Sequence, residues 1–322
     1  MLKKMDIIKV IEAYSLMQKF QIETPLREYP KASDYFNSNI LIKNENYNYG
    51  GSFKIRNALY YMWKHLKEIK NKNGVISATR GNFGIGVSIA ASIFNIKSYV
   101  VVPKINIQEK NELLRSYGAD LIIYGSDYDE AKDHAKKLSE KENLCFIDTA
   151  NHPDIIYGAA TVAWSIYMQF AGRIDIIVVP IGSGSLIAGC LLVREALQKS
   201  TRIIGVQPKN ANATFLSWKT GRLIRTKSCK TIADGLATRS AFALPLKIIK
   251  NLINDIILVD EDEIKRSIKL AFKLTGDVIE PASATVLAAL EKFNSKVNGK
   301  NIVLIFTGKN ISWQLMKECI EC

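Results

Sequence analysis

The stretch Asp175-Ile176-Ile177-Val178-Val179-Pro180-Ile181-Gly182-Ser183-Gly184-Ser185-Leu186 decides the fold. It opens as a near-continuous apolar run. A strand without polar alternation is buried on both faces, as in parallel sheets covered by helices. Small residues then make a tight turn, and Leu186–Gln198 reads as a helix. The same order recurs along the chain. Gly74–Ser77 reads as a strand, followed by the turn Ala78-Thr79-Arg80-Gly81-Asn82 and a helix over Phe83–Asn95. Ser98–Pro103, Asp120–Tyr124 and Leu144–Ile147 read as further strands, with a charged amphipathic helix over Asp127–Lys141. Later, Arg202–Val206, Asp255–Val259 and Ile302–Phe306 read as strands, with helices beginning near Asp260 and from Ser283. The expected class is α/β, with two open, mainly parallel twisted sheets covered by helices. Loop-like boundaries near Asn71–Gly74 and Asp148–Pro153 predict a small domain over residues 71–147. Residues 1–70 and 148–322 would then form a large one.

Composition narrows the class further. The chain has 322 residues, 48% hydrophobic and 23% charged, which excludes disordered and fibrous proteins. A chain of this length buries about three-quarters of its unfolded surface, so it needs no disulfide or metal staple. Five cysteines, an odd number, with no secretion signal at the N-terminus predict a reducing, cytoplasmic setting. No apolar run approaches the roughly 20 residues that cross a bilayer, so no membrane partner is expected. The net charge is +13, but most of the lysines are interleaved with acids. One acid-free segment between Gln207 and Asp234 carries Lys209, Lys219, Arg222, Arg225, Lys227 and Lys230. It reads as a solvated loop face rather than a nucleic-acid site.

Open α/β sheets bind ligands at the carboxyl ends of their strands, so the turns there carry the chemistry. At Gly182–Ser185, small residues before a helix let backbone N–H groups converge on an anion, and the helix dipole adds positive potential. A dinucleotide site needs a third glycine where Ile187 stands, and an acid where the next strand ends in Gln207. A compact monophosphate fits better. A tight turn without ligand stays open on this loop alone. Lys54 sits in Gly50-Gly51-Ser52-Phe53-Lys54, between small residues and an apolar shoulder. A desolvated lysine has a lowered pKa and suits imine formation and proton transfer. A solvated surface lysine is the alternative reading of that position. His65, His134 and His152 lie in unrelated contexts without metal-ligand spacing, and Cys319 and Cys322 read as a helix end rather than a zinc or redox pair.

Taken together, these segments resemble the fold type II pyridoxal-phosphate enzymes, the tryptophan synthase β family. The serine/threonine dehydratase branch is the nearest, with serine racemase close by. The motifs run in family order from Thr24-Pro25-Leu26 to Thr307-Gly308-Lys309-Asn310. They include Ser52-Phe53-Lys54-Ile55-Arg56-Asn57-Ala58, Gly81-Asn82-Phe83-Gly84, Gly182–Leu186, Ala233-Asp234-Gly235-Leu236-Ala237 and Glu280-Pro281-Ala282-Ser283-Ala284. The resemblance implies pyridoxal 5'-phosphate as cofactor, held covalently by Lys54, which also removes the substrate Cα proton. It implies that Asn82 bonds the ring hydroxyl and that Gly182, Ser183, Gly184, Ser185 and Leu186 hold the phosphate. It implies that Thr307 bonds the ring nitrogen, with Phe53 and Gly235 in the same cofactor pocket. Thr79, Arg80, Gly81 and Asn82 would face the substrate.

The implied activity is elimination of the β-hydroxyl from an amino acid such as L-threonine, L-serine or a 3-hydroxyaspartate-like compound, by a homodimer. Two alternatives are a β-replacement transferase of the cysteine synthase kind and a catalytically silent ligand-binding homologue. Departures from the family pattern sharpen these expectations. Arg80 stands where racemases carry a second acid/base, and an arginine cannot serve as that base. Racemisation is therefore not expected, and Arg80 is free to clamp a substrate carboxylate. Gln207 and Ala213 stand where some members place acidic metal ligands, so no metal is expected.

Overall fold

Ten strands alternate with helices in the computed structural model, which describes residues 6–294 and 297–321. They are β1 (Leu26–Glu28), β2 (Asn39–Asn44), β3 (Val75–Ala78), β4 (Ser98–Val102), β5 (Ala119–Ile123), β6 (Cys145–Phe146), β7 (Ile176–Pro180), β8 (Arg202–Pro208), β9 (Asp255–Val259) and β10 (Asn301–Phe306). One sheet runs β1-β2-β10-β7-β8-β9 and the other β5-β4-β3-β6. Every pairing is parallel except that of β1 with β2. The class is the α/β architecture that the apolar runs predict.

Side chains alternate across a strand. In β7, Ile176 and Val178 enter one apolar cluster, while Ile177 and Val179 enter another. Helices Glu261–Thr275 and Pro281–Phe293 supply the first cluster, and helices Pro153–Gln169 and Ser185–Ala196 the second. Burial on both faces is why the run lacks polar residues. The four-stranded sheet is built the same way, with Val75, Val100 and Val102 on one side and Ile76, Ala78 and Val101 on the other. Among the described residues no helix is long and apolar enough to cross a membrane.

Several boundaries differ from expectation, for local reasons. The sequence reading does not anticipate β1 or β2, because β1 is short and charged and β2 carries Lys43. That lysine is fully buried, and its Nζ lies 3.0 Å from Glu23 Oε1. β8 runs past Val206 to Pro208, because Gln207 and Pro208 pair with Leu258 and Val259 of β9. The helix expected from Ser283 starts at Pro281, whose missing N–H needs no partner in a first turn. The strand expected over Leu144–Ile147 contracts to Cys145–Phe146. Cys322, one half of the terminal cysteine pair, lies outside the described residues.

Beneath the six-stranded sheet runs a buried ionic network. Arg56 Nε lies 2.8 Å from Glu45 Oε2, and Arg56 Nη2 lies 2.9 Å from Glu45 Oε1. Lys43 and Arg56 both face Glu23, at 3.0 and 3.7 Å. Burial pushes the Glu23 carboxyl up, but Lys43 and Arg56 outweigh it and hold its pKa at about 2, below the usual 4.5. Glu45 is lowered too, by Arg56 and then Lys43 working against burial. A carboxylate with a depressed folded pKa stabilises fully above its unfolded value and loses that contribution as pH falls through the folded one. Stability measured by denaturant unfolding should therefore fall as pH drops from 4.5 toward about 2. Glu23→Gln should flatten that acid limb. An unchanged limb in the variant would remove Glu23 from the account.

Candidate active site

The carboxyl ends of β3, β7 and β10 all point toward one cleft between the two sheets. Its walls bring together Phe53, Lys54, Thr79, Arg80, Gly81, Asn82, Gly182, Ser183, Gly184, Ser185, Leu186, Gly235 and Thr307. Every site residue read from the sequence therefore lines one cleft.

Lys54 opens the helix Lys54–Lys64, which follows β2 through the turns over Glu45–Tyr47 and Tyr49–Gly51. Its Nζ lies 4.8 Å from the Phe53 ring centre and 5.7 Å from that of Phe83. It makes no hydrogen bond or ion pair among the described residues. Burial lowers its pKa to about 8, and the charge of Glu280 only partly opposes that shift. About a tenth of this amine is therefore neutral, and nucleophilic, at pH 7, far more than of an ordinary lysine.

Opposite it, Gly184 caps the helix Ser185–Ala196 with φ +87°, a left-handed conformation that favours glycine. A Cβ on Gly182 would come within 2.6 Å of the Gly235 carbonyl oxygen, so the loop packs directly on that segment. The Ser183 hydroxyl is buried and has no partner. Asn57, three residues beyond Lys54, donates to Ser185 Oγ at 3.2 Å and steadies the loop. Thr307 Oγ1 lies 3.1 Å from Ser283 Oγ at the far side of the cleft.

Asn82 begins the helix Asn82–Ile93, and its side chain is held on both sides. Its Nδ2 lies 2.7 and 2.9 Å from the two Glu280 carboxylate oxygens, and its Oδ1 accepts from Asn310 Nδ2 at 2.9 Å. Two oxygens of one carboxylate subtend far less than the angle between the amide hydrogens. One N–H faces both oxygens, and the other is left for a ligand. Glu280 is itself paired with Lys110 at 3.5 Å, and Lys110 Nζ lies 2.7 Å from Asp234 Oδ2. Burial and then the Asp234 charge raise the Glu280 pKa, with Lys110 and Asn82 opposing. The Lys110 ammonium is disfavoured by burial, but the two carboxylates prevail and raise its pKa.

Sequence reasoning misses Lys110, Asp234, Glu280 and Ser283 as site residues. Three of them stand inside quoted motifs without a role, whereas nothing in Gln108-Glu109-Lys110 marks its lysine. Two of the histidines, unrelated in sequence, meet in the fold: the ring centres of His65 and His152 are 5.0 Å from each other, and His65 Nε2 is 2.8 Å from Asp154 Oδ2. Chain folding brings them together from the end of one helix and the start of another. Their ligand atoms are near enough to hold a cation, yet the trio is already hydrogen-bonded as a helix cap. Gln207 is locked by Phe215 N–H and the Ile181 carbonyl, a structural role.

The lowered Lys54 pKa has a measurable sign. An amine-directed reagent should modify Lys54 half-maximally near pH 8, against 10.5 for an ordinary lysine, and ever less as pH falls. Peptide mapping by mass spectrometry reads this directly, and a midpoint near the ordinary value would contradict the burial argument.

Known proteins resemble this chain in sequence and in fold. Residues 17–308 match the family model described as pyridoxal-phosphate dependent enzyme. The chain is 35% identical over 301 residues to a tomato (Solanum lycopersicum) protein named threonine dehydratase 1 biosynthetic, chloroplastic, a match covering 93% of this chain and 50% of the relative. The chain thus spans about half of that relative's length. It is 32% identical over 311 residues to the L-threonine ammonia-lyase of Thermotoga maritima, covering 96% of this chain and 77% of the relative. The solved structure of processed threonine deaminase isoform 2 from tomato superposes with a TM-score of 0.89 at 30% identity, covering 98% of this chain and 94% of that one. With the lysine, the glycine loop and the asparagine lining a single cleft, the chain belongs to the pyridoxal-phosphate dependent enzyme family.

Proposed function

We propose that this protein is a lyase that removes the β-hydroxyl of a small hydroxy amino acid, such as L-threonine or L-serine, giving a 2-oxo acid and ammonia. The observation that carries the reading is the unpaired amine of Lys54, which lines one cleft together with a glycine loop at a helix N-terminus. The cleft fits the family's cofactor. Ser183 Oγ is a buried polar atom without a partner, and Gly182 leaves no room for a side chain. Lys54 would hold the aldehyde carbon, and the N–H groups of Gly182 to Leu186 the phosphate. Asn82 would offer its free N–H to the ring hydroxyl and Thr307 its hydroxyl to the ring nitrogen, with Phe53 and Gly235 alongside. Bound there, pyridoxal phosphate supplies an electron sink for negative charge developing at Cα.

The remaining chemistry belongs to side chains. Lys54, neutral above about pH 8, takes the Cα proton. The Cβ–O bond then breaks, and the departing hydroxyl takes the proton now on Lys54 and leaves as water, which returns the amine to its neutral form. The resulting enamine tautomerises and hydrolyses to the 2-oxo acid and ammonia. Thr79 Oγ1 accepts from Gly81 N at 2.9 Å and Gly84 N at 3.2 Å, which fixes the substrate-facing turn. A 3-hydroxyaspartate-like substrate is a second reading, favoured by Arg80, whose Nε is buried in the cleft wall without a partner. The family resemblance extends the proposal to a homodimer, and the odd cysteine count supports a cytoplasmic setting.

The test is a panel of β-hydroxy amino acids scored for 2-oxo acid release, with Lys54→Ala inactive. O-activated serine plus a thiol should yield no replacement product, and a thioether product would favour the transferase. Arg80→Ala should lower kcat/KM for 3-hydroxyaspartate at least about tenfold relative to L-threonine, the worth of one charged hydrogen bond. Equal losses on both substrates would remove the carboxylate role.

A further inference from the structure

The cleft wall holds one carboxylate oxygen with nothing to accept from. Asp234 is only 6% exposed, and its Oδ2 is occupied by Lys110 Nζ at 2.7 Å, whereas its Oδ1 is buried without a partner. The residue lines the same cleft as Lys54 and Asn82. Leaving a charged oxygen desolvated and unpaired is costly, so a buried orphan of this kind marks the place of a ligand's donor. The cofactor's phosphate is anionic and offers it nothing, and the substrate amine is committed to the reacting carbon. Glu280, the other carboxylate of the wall, already receives Asn82 and Lys110.

We propose that Asp234 Oδ1 accepts a hydrogen bond from the β-hydroxyl of the substrate, so that Asp234 determines specificity for hydroxy amino acids and Lys110 is its positioning residue. This inference rests on the β-elimination reading above. Lys110 belongs to the helix Gln108–Ser116 beside the four-stranded sheet, whereas Asp234 lies between β8 and β9 of the other. The ion pair therefore fixes the orientation of the reading oxygen across the cleft. A side chain without a hydroxyl leaves that oxygen desolvated and unpaired. The site thereby rejects the analogue by the cost of the orphan rather than by a clash.

The test compares L-serine with β-chloro-L-alanine, which shares the amine, the carboxylate and a departing β-substituent but has no hydroxyl. In Asp234→Ala, kcat/KM for L-serine relative to β-chloro-L-alanine should fall about ten- to a hundredfold, the worth of a hydrogen bond to a charged acceptor. Lys110→Met should shift the same ratio in the same direction. Asp234→Asn, which keeps the shape and loses the charge, serves where the alanine variant does not hold the cofactor's absorbance band. A ratio within twofold of wild type in the variants that hold the band overturns the proposal. In the unmodified protein, L-2-aminobutyrate, which is threonine without its hydroxyl, should bind at least about tenfold more weakly than L-threonine in a stopped-flow absorbance titration. Equal affinities overturn the proposal without recourse to any variant. If the wild-type protein turns over neither L-serine nor β-chloro-L-alanine, the elimination reading itself fails. If it turns over both and the ratio never moves, only the role of Asp234 fails.

Discussion

The bidentate pair of Arg56 and Glu45 is the constraint on which the cleft depends. Both side chains are fully buried, and the guanidinium also reaches Thr161 Oγ1 and Thr24 Oγ1, each at 3.3 Å. One cation thus ties the turn after β2, the segment before β1 and the helix Pro153–Gln169 to the helix that begins at Lys54. Breaking one partner of such a pair strands a buried charge, at a cost of about 3–5 kcal/mol. Glycines tighten the same junction. A Cβ on Gly158 would lie 2.4 Å from the Arg56 carbonyl oxygen, and one on Gly86 would lie 2.8 Å from that of Lys54. Lys54 is thus held by its backbone rather than by its own amine.

Two lysines, one lining the cleft and one behind its wall, show how neighbours decide a pKa. Lys54 faces aromatic rings and has no ion-pair partner among the described residues, so burial wins and its pKa falls. Lys110 is buried more deeply, at 2% exposure, yet it faces Asp234 and Glu280, and its pKa rises. The first is available to chemistry and the second serves as a permanent cation. Desolvation alone does not separate them; the placement of carboxylates does.

Much of this was legible in the residues, for identifiable reasons. Strands covered on both faces advertise themselves by unbroken apolar runs, which is why β7 and β10 could be read directly. Turns at strand ends combine glycine with small polar residues, so Gly81-Asn82 and Gly182–Ser185 were legible as turns that line a cleft. The antiparallel edge strand β1 and its neighbour β2 were not, because a lysine at position 43 mimics an exposed segment until its partner Glu23 is placed. Lys110 was equally hidden. Its role arises from carboxylates far along the chain, and local pattern carries no record of such a pairing. The meeting of His65 with His152 was invisible for the same reason.

The strands of the four-stranded sheet come from one uninterrupted span, from Val75 to Phe146, and the chain enters and leaves that span side by side, where Asn73 N–H donates to the Asn143 carbonyl at 3.0 Å. The sheet is also joined to the rest of the chain through a shared apolar core, in which Val75, Val100 and Val102 pack with Ala13, Met17, Ile55 and Leu59. Arg239, between β8 and β9, meets Asp127 at 2.8 Å and Asp129 at 3.2 Å. One side of this junction is held by apolar burial and the other by partly exposed charge, and only the charged side weakens in dissolved salt.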